Sequence, residues 1–155
     1  MPRGRVRQGP APPWPMSTAS LLNAISGMKD ESSARDVVLE MLRGPIEPVV
    51  LEEKDDVGFT PLFWSVYHGD DEVMKRLLEA GANMYAKDKH GSTVLGTAAW
   101  YGHSKCVKGL LEKCDTGHAK EANEAGMTAL GGAKVARELS AEKADHGKCI
   151  ELLNN

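Results

Sequence analysis

The segment Asp56-Val57-Gly58-Phe59-Thr60-Pro61-Leu62 returns 33 residues later as Lys89-His90-Gly91-Ser92-Thr93-Val94-Leu95. At the same offset, Val73-Met74-Lys75-Arg76-Leu77-Leu78 returns as Cys106-Val107-Lys108-Gly109-Leu110-Leu111. A fixed period of about 20 to 50 residues marks stacked repeats, in which each unit relies on its neighbours to bury its apolar side. The chain is therefore read as a stack of similar units.

Each period carries its own punctuation. In the first, about Asp55 to Lys87, Gly58 permits a tight turn, Thr60 caps a helix and Pro61 takes the first helical position, where no amide donor is needed. Leu62, Ser65 and Val66 face the stack until Gly69 ends that helix. Asp70 then caps a second helix with buried side Val73, Met74, Leu77 and Leu78, closed by Gly81. The second period, about 88–121, repeats these steps with Gly91, Thr93, Leu95, Ala98, Ala99, Gly102 and the run from Cys106 to Leu111. The third, about 122–155, opens on Gly126-Met127-Thr128-Ala129-Leu130. Its inner helix is expected from near Ala129 through Val135, Ala136 and Leu139, with about eight extra residues within 134–144.

Residues 17–54 lack the signature. Leu21, Leu22, Ile25 and Met28 predict one short helix, and Val37, Val38, Met41 and Leu42 a second from about Ala34 to Arg43, stopped by Gly44-Pro45. An extended Pro48-Val49-Val50-Leu51 follows, so this segment reads as an atypical N-terminal capping repeat. Residues 1–16, with Pro10, Pro12, Pro13 and Pro15 and three arginines, read as a disordered tail. Met16 offers an alternative start, and an organelle transit signal and a weak RNA or phosphate contact are the other readings of the arginines.

Gly58-Phe59-Thr60-Pro61-Leu62, followed by Gly69, Val73-Met74, Leu77-Leu78 and Glu79-Ala80-Gly81-Ala82-Asn83, resembles an ankyrin repeat. The period agrees with that family. The resemblance implies an all-α solenoid of helix-turn-helix units with short β-hairpin fingers, about three repeats plus an N-terminal helical cap. It also implies a concave face of fingers and inner helices that binds other proteins without chemistry of its own. The His that follows Thr-Pro-Leu in the family is replaced by Phe63, Gly96 and Gly131, so a recurrent polar link between repeats is expected to be missing. Gly96, Gly131 and Gly132 fall inside helices, where each costs about 1 kcal/mol relative to alanine, so stability is expected to be lowest toward the third repeat.

Two His/Cys pairs, His103 with Cys106 and His146 with Cys149, have spacing that suits two ligands on one helical face. They are repeat equivalents one unit apart, and Cys at a paired apolar position behaves as a small hydrophobe. A metal-dependent or thiol-based protein built on these pairs is the alternative; no catalytic residue, cofactor or metal is assigned. The odd count of three cysteines without framework spacing suits reduced thiols in a cytoplasmic or nuclear setting. A net charge of -3 gives no general attraction to nucleic acid or acidic membrane, and no apolar run nears the roughly 20 residues that span a bilayer.

Aromatics make up only 5% of the chain, yet two of its three tryptophans fall on the inner helices. In the family, the two positions before the helix-breaking Gly face the concavity. Here they are Tyr67-His68 and Trp100-Tyr101, with Trp64 and Thr97 one turn earlier. Phe59, Lys87, Lys89 and His90 add the finger positions. Trp and Tyr dominate binding hot spots, so these ten residues are assigned to a partner protein, bound by a chain that is a monomer by itself. The competing reading is that Trp64 and Trp100 fill space left by the missing His and nearby glycines.

Overall fold

Starts and stops written by Thr, Asp and Gly divide the chain into paired helices in a computed structural model that describes residues 18–28, 32–115, 117–139 and 145–155. Among the described residues these are α1 (Thr18–Ser26), α2 (Ser32–Met41), α3 (Pro48–Leu51), α4 (Pro61–Tyr67), α5 (Asp71–Glu79), α6 (Val94–Trp100), α7 (Ser104–Leu111), α8 (Ala129–Leu139) and α9 (His146–Asn154). A 3-10 turn spans His118–Lys120. Thr93 Oγ1 accepts the Gly96 amide at 3.0 Å to start α6, and Thr128 Oγ1 accepts the Gly131 amide at 3.1 Å to start α8. Thr60 does the same for α4 with Phe63 N–H. Asp70 caps α5 through the amides of Glu72 and Val73. Each such bond satisfies an amide that the helix itself leaves free.

The helices form two rows. In the inner row α1 packs on α4, α4 on α6 and α6 on α8; in the outer row α2 packs on α5, α5 on α7 and α7 on α9. Leu21, Ile25, Val38, Leu62, Phe63, Val66, Met74, Leu77, Leu95, Val107 and Leu110 are buried between the rows in one continuous core. Gly109 in α7 explains how closely α5 and α7 approach. A Cβ there would stand 2.8 Å from Met74 Cε, so only glycine leaves room for that buried methionine as placed.

The fingers repeat with equal regularity. Asp55, Asp88 and Asn123 each accept two amides of their own turn through one side-chain oxygen. Adjacent fingers are tied by Lys89 N–H to Val57 O at 3.2 Å and Glu124 N–H to His90 O at 3.1 Å. Gly58, at φ +89°, makes the first tie possible, since a Cβ there would lie 2.9 Å from Lys89 N. Single antiparallel bridges, Lys87 with Thr93 and Ala122 with Thr128, close the second and third fingers.

Several expectations need correction. Pro48–Leu51 is not extended but a one-turn helix; Pro48 suits the first helical position, and Val50 and Leu51 bury themselves against the inner row. Val37 is exposed, so the buried stripe of α2 is narrower than its apolar residues suggest, whereas α8 spans Ala129–Leu139 as expected, with Val135 and Leu139 exposed. A recurrent polar link between repeats does exist, built from other histidines. His103 Nε2–H donates to Tyr67 O at 3.1 Å, and His146 Nε2–H donates to Trp100 O at 2.9 Å. The carbonyl acceptors fix the tautomer. Tyr67 and Trp100 are themselves 33 residues apart, so both links join the same points of successive units. The tail of residues 1–16, the polar break at 29–31 and most of the extra length in the third repeat lie outside the described residues.

Candidate functional site: a groove between fingers and inner helices

The repeat register decides what each inner helix presents to the fingers. Trp64 in α4, Thr97 in α6 and Gly132 in α8 occupy equivalent positions, since Thr97 follows by 33 residues and Gly132 by the 35 that separate the second and third fingers. Bulk at this position therefore falls from indole to hydroxyl to nothing. Beside the first unit the space is filled. The Trp64 ring stands 5.5 Å from Phe59 and 5.2 Å from Tyr67, edge-on to both, and stacks on His68 at 5.6 Å. Its Nε1–H donates to Asp55 Oδ2 at 2.8 Å.

Beside the second and third units the space opens. A groove of about 380 Å³ runs between the finger residues Asp88, His90, Ser92, Asn123 and Met127 and the helical residues Gly96, Thr97, Trp100, Tyr101 and Gly132. Trp100 forms one wall, and a Cβ at Gly132 would stand 3.5 Å from its Cε3. Tyr101 meets Tyr67 edge-on at 4.7 Å, which joins the groove to the aromatic cluster of the first unit. Partial burial beside Tyr67 raises the Tyr101 phenol above its usual range and keeps it a neutral donor.

The ten residues singled out in the sequence are placed unevenly. Tyr67, Trp100 and Tyr101 are 36, 37 and 40% exposed, and each joins the groove or the cluster beside it. Phe59 lies at the junction, stacked on buried Phe63 at 5.0 Å and also lining the groove. Thr97 sits on the groove floor at 7% exposure with its hydroxyl on Thr93 O. Trp64 and His68 are half-buried, and His68 Nε2–H donates to Ser26 O at 3.3 Å, tying α4 to α1. Lys89 and His90 are exposed at the second finger. Lys87 is also exposed but pairs with Glu121 at 2.8 Å. That cation and His118 hold the Glu121 carboxyl below the usual carboxylate range.

Sequence reasoning missed Asp88, Ser92, Asn123 and Met127 on the finger side, and treated Gly132 only as a cost to the helix. The signal was present in the register: three aligned positions that shrink from Trp to Thr to Gly mark an opening. The His/Cys pairs are not brought to this groove. Cys106 and Cys149 are buried, which pushes their thiols up to about 12 and about 11, and His103 and His146 spend Nε2 on backbone carbonyls. Among the described residues no three His, Cys, Asp or Glu side chains converge as metal ligands, and no helix is long and apolar enough to cross a membrane.

Helix pairs stacked in two rows, with capped inner helices and tied fingers, can be compared with known families. The family model described as "Ankyrin repeats (3 copies)" matches residues 31–123, ending at Asn123 of the third finger. The chain belongs to the ankyrin-repeat family. Among curated relatives of this ankyrin-repeat chain, the rat nuclear factor NF-kappa-B p105 subunit is 29% identical over 75% of the chain and 11% of that protein. The chicken p105 subunit is 33% identical over 67% of the chain and 10% of its own length. The fruit-fly "DNA replication inhibitor plutonium" is 37% identical over 59% of the chain and 53% of that protein. The chain thus spans from about a tenth to about half the length of these relatives. Ankyrin repeats are protein–protein interaction modules, and the all-α solenoid described above is their architecture.

Proposed function

We propose that this ankyrin-repeat chain is a non-catalytic module that binds a partner protein through its concave face. Phe59, Trp64, Tyr67, His68, Lys87, Lys89, His90, Thr97, Trp100 and Tyr101 form or border the contact. The observation that carries this reading is the groove of about 380 Å³ walled by Trp100 and Tyr101, where two large aromatic side chains stay more than a third exposed beside exposed finger residues. Aromatic residues in such a position act as anchors, and truncating one at a hot spot costs about 2 kcal/mol or more. The chain acts as an adaptor, assembly factor or inhibitory subunit in cytoplasm or nucleus, with residues 17–54 capping repeats over 55–155. The inhibitor role printed in the name of the fruit-fly relative is in keeping with the last of these.

The test is affinity capture from cells with the wild-type chain and the Trp100→Ala/Tyr101→Ala variant. The variant keeps its helical circular dichroism spectrum and loses the specific partner. Retention of that partner by the folded variant sinks the concave-face reading.

A further inference from the structure

The repeat architecture offers one seat twice, once filled and once open. In the first unit Asp55 Oδ1 holds the finger through Val57 and Phe59 amides, which leaves Oδ2 to accept the Trp64 indole N–H at 2.8 Å. One period on, Asp88 Oδ1 holds its finger through the amides of His90 and Ser92, both at 2.8 Å. The Tyr67 position is now Trp100, again an aromatic ring. The Trp64 position is now Thr97, and no described residue donates to Asp88 Oδ2. The groove opens at this vacated place, lined by Asp88, Thr97 and Trp100, with Gly132 behind.

We infer that the groove seats a tryptophan side chain of the partner protein, its indole N–H donating to Asp88 Oδ2 and its ring packing on Trp100. This rests on the concave-face reading. The chain itself supplies the template in Trp64, which makes both kinds of contact on the same scaffold one repeat earlier. The chemistry selects among occupants. An aliphatic side chain would cover the carboxylate without pairing it, which costs more than the apolar contact returns. A guanidinium is suited to a bidentate carboxylate, and this seat leaves open only one carboxylate oxygen, because Asp88 Oδ1 holds the finger amides and Glu121 at the rim is paired with Lys87 and His118. Indole has one N–H and a broad apolar face, and a buried indole N–H needs a partner.

The experiment titrates N-acetyl-tryptophanamide into the full chain and follows backbone amides by NMR, with N-acetyl-1-methyltryptophanamide and N-acetyl-argininamide as controls. Saturable shifts are expected at Ser92, Gly96 and Thr97. N-methylation weakens binding about tenfold, which corresponds to about 1.4 kcal/mol. Asp88→Asn keeps the finger, as Asn123 does in the third unit, and weakens the tryptophan probe by a similar factor while leaving the methylated probe unchanged. Thr97→Trp rebuilds the filled seat and abolishes the shifts. Absence of groove shifts, equal binding by the methylated probe, or tighter binding by the arginine probe overturns the inference. If partner capture is lost with Trp100→Ala/Tyr101→Ala while the probe shows no shifts in the wild type, the concave face stands and the indole seat falls. If the probe binds as described but capture survives that double substitution, the concave-face reading falls on its own.

Discussion

His103 reaches across one unit to donate its Nε2–H to the Tyr67 carbonyl at 3.1 Å, and it does so through space that Gly69 leaves empty. A Cβ on Gly69 would stand 2.5 Å from His103 Nδ1, and Gly69 already has φ +74°. Gly69→Ala therefore combines left-handed strain with loss of the link and is expected to cost about 2–3 kcal/mol. His103→Ala loses only the link and its packing, about 1–2 kcal/mol. Urea unfolding of both variants checks the order. Equal costs would mean that the contact between the ring and Gly69 is unimportant.

The same histidine sets a pH dependence. Desolvation by burial lowers the His103 pKa below its ordinary value, with smaller contributions from His146 and His68, against the opposing effect of its backbone bond. Below about pH 6.5 the unfolded chain binds a proton that the folded chain resists, so protonation favours unfolding. Stability from His103 is thus present at neutral pH and lost as pH falls through 6.5 toward the lowered folded value. Thermal midpoints at pH 7.5 and 5.5 should fall further for the wild type than for His103→Gln, which keeps a donor but does not titrate.

Asp70 joins two tasks that a mutational series can separate. It caps α5 through the amides of Glu72 and Val73, and it accepts the Arg35 guanidinium at 2.5 Å, which ties α2 to α5. Arg35 is 38% exposed, so Arg35→Ala is expected to cost no more than about 1 kcal/mol. Asp70→Ala loses the cap as well and should cost about 1–2 kcal/mol. A double-mutant cycle by denaturant unfolding gives the coupling. Arg35 also pairs with Glu72 at 2.6 Å, so a cost for Arg35→Ala equal to that for Asp70→Ala would place the effect in the contacts of Arg35 with both carboxylates rather than in the cap.

Those features differ in how far the sequence announces them. The Asp70 cap, the Thr caps and the Gly breaks are local, set by residues a few positions apart, so the period reveals them. The Arg35 pair joins residues 35 apart in a segment without the signature, and only packing of α2 against α5 brings them together. The His103 and His146 links were hidden for another reason. The family position for His is occupied by Phe63, Gly96 and Gly131, and His103 and His146, beyond the helix break, reach the neighbouring unit only once the helices are stacked. Pro48–Leu51 gives no usable signal, because four apolar residues in a row carry no periodicity that separates helix from strand. The groove was half legible. Trp100 and Tyr101 were found by residue type, whereas Asp88 and Gly132 acquire meaning only when equivalent positions are compared for size.

The glycines of α8 allow a direct measurement of the cost of keeping that space. A Cβ on Gly131 would meet Thr128 Oγ1 at 3.4 Å, and one on Gly132 would meet Trp100 Cε3 at 3.5 Å, both ordinary contacts at helical backbone. Gly131→Ala and Gly132→Ala are each expected to stabilise the chain by about 0.5–1 kcal/mol in urea unfolding. Gly132→Ala also narrows the groove and should weaken partner capture, whereas Gly131→Ala, outside the lining, should not. Destabilisation by either substitution would show that the helix is more tightly packed than these distances indicate.

The cysteines give the sharpest test against thiol chemistry. Burial pushes Cys106 to about 12 and Cys149 to about 11, with nearby Asp70 and Asp71 adding to the first and Asp145 to the second. At pH 8 a thiol at about 12 is thiolate in roughly 1 molecule in 10,000, and the thiolate is the reacting species. Cys114 is also raised, by burial and Asp115, but it is only half-buried and lies just after α7. Native chain treated with a disulfide reagent at pH 8 should therefore release about one equivalent slowly, from Cys114, while denatured chain releases all three. Cys114→Ser should remove the native phase without changing the helical spectrum. Rapid native modification of Cys106 or Cys149 would instead require an activated thiol beside His103 or His146, and would return the thiol-based alternative to first place.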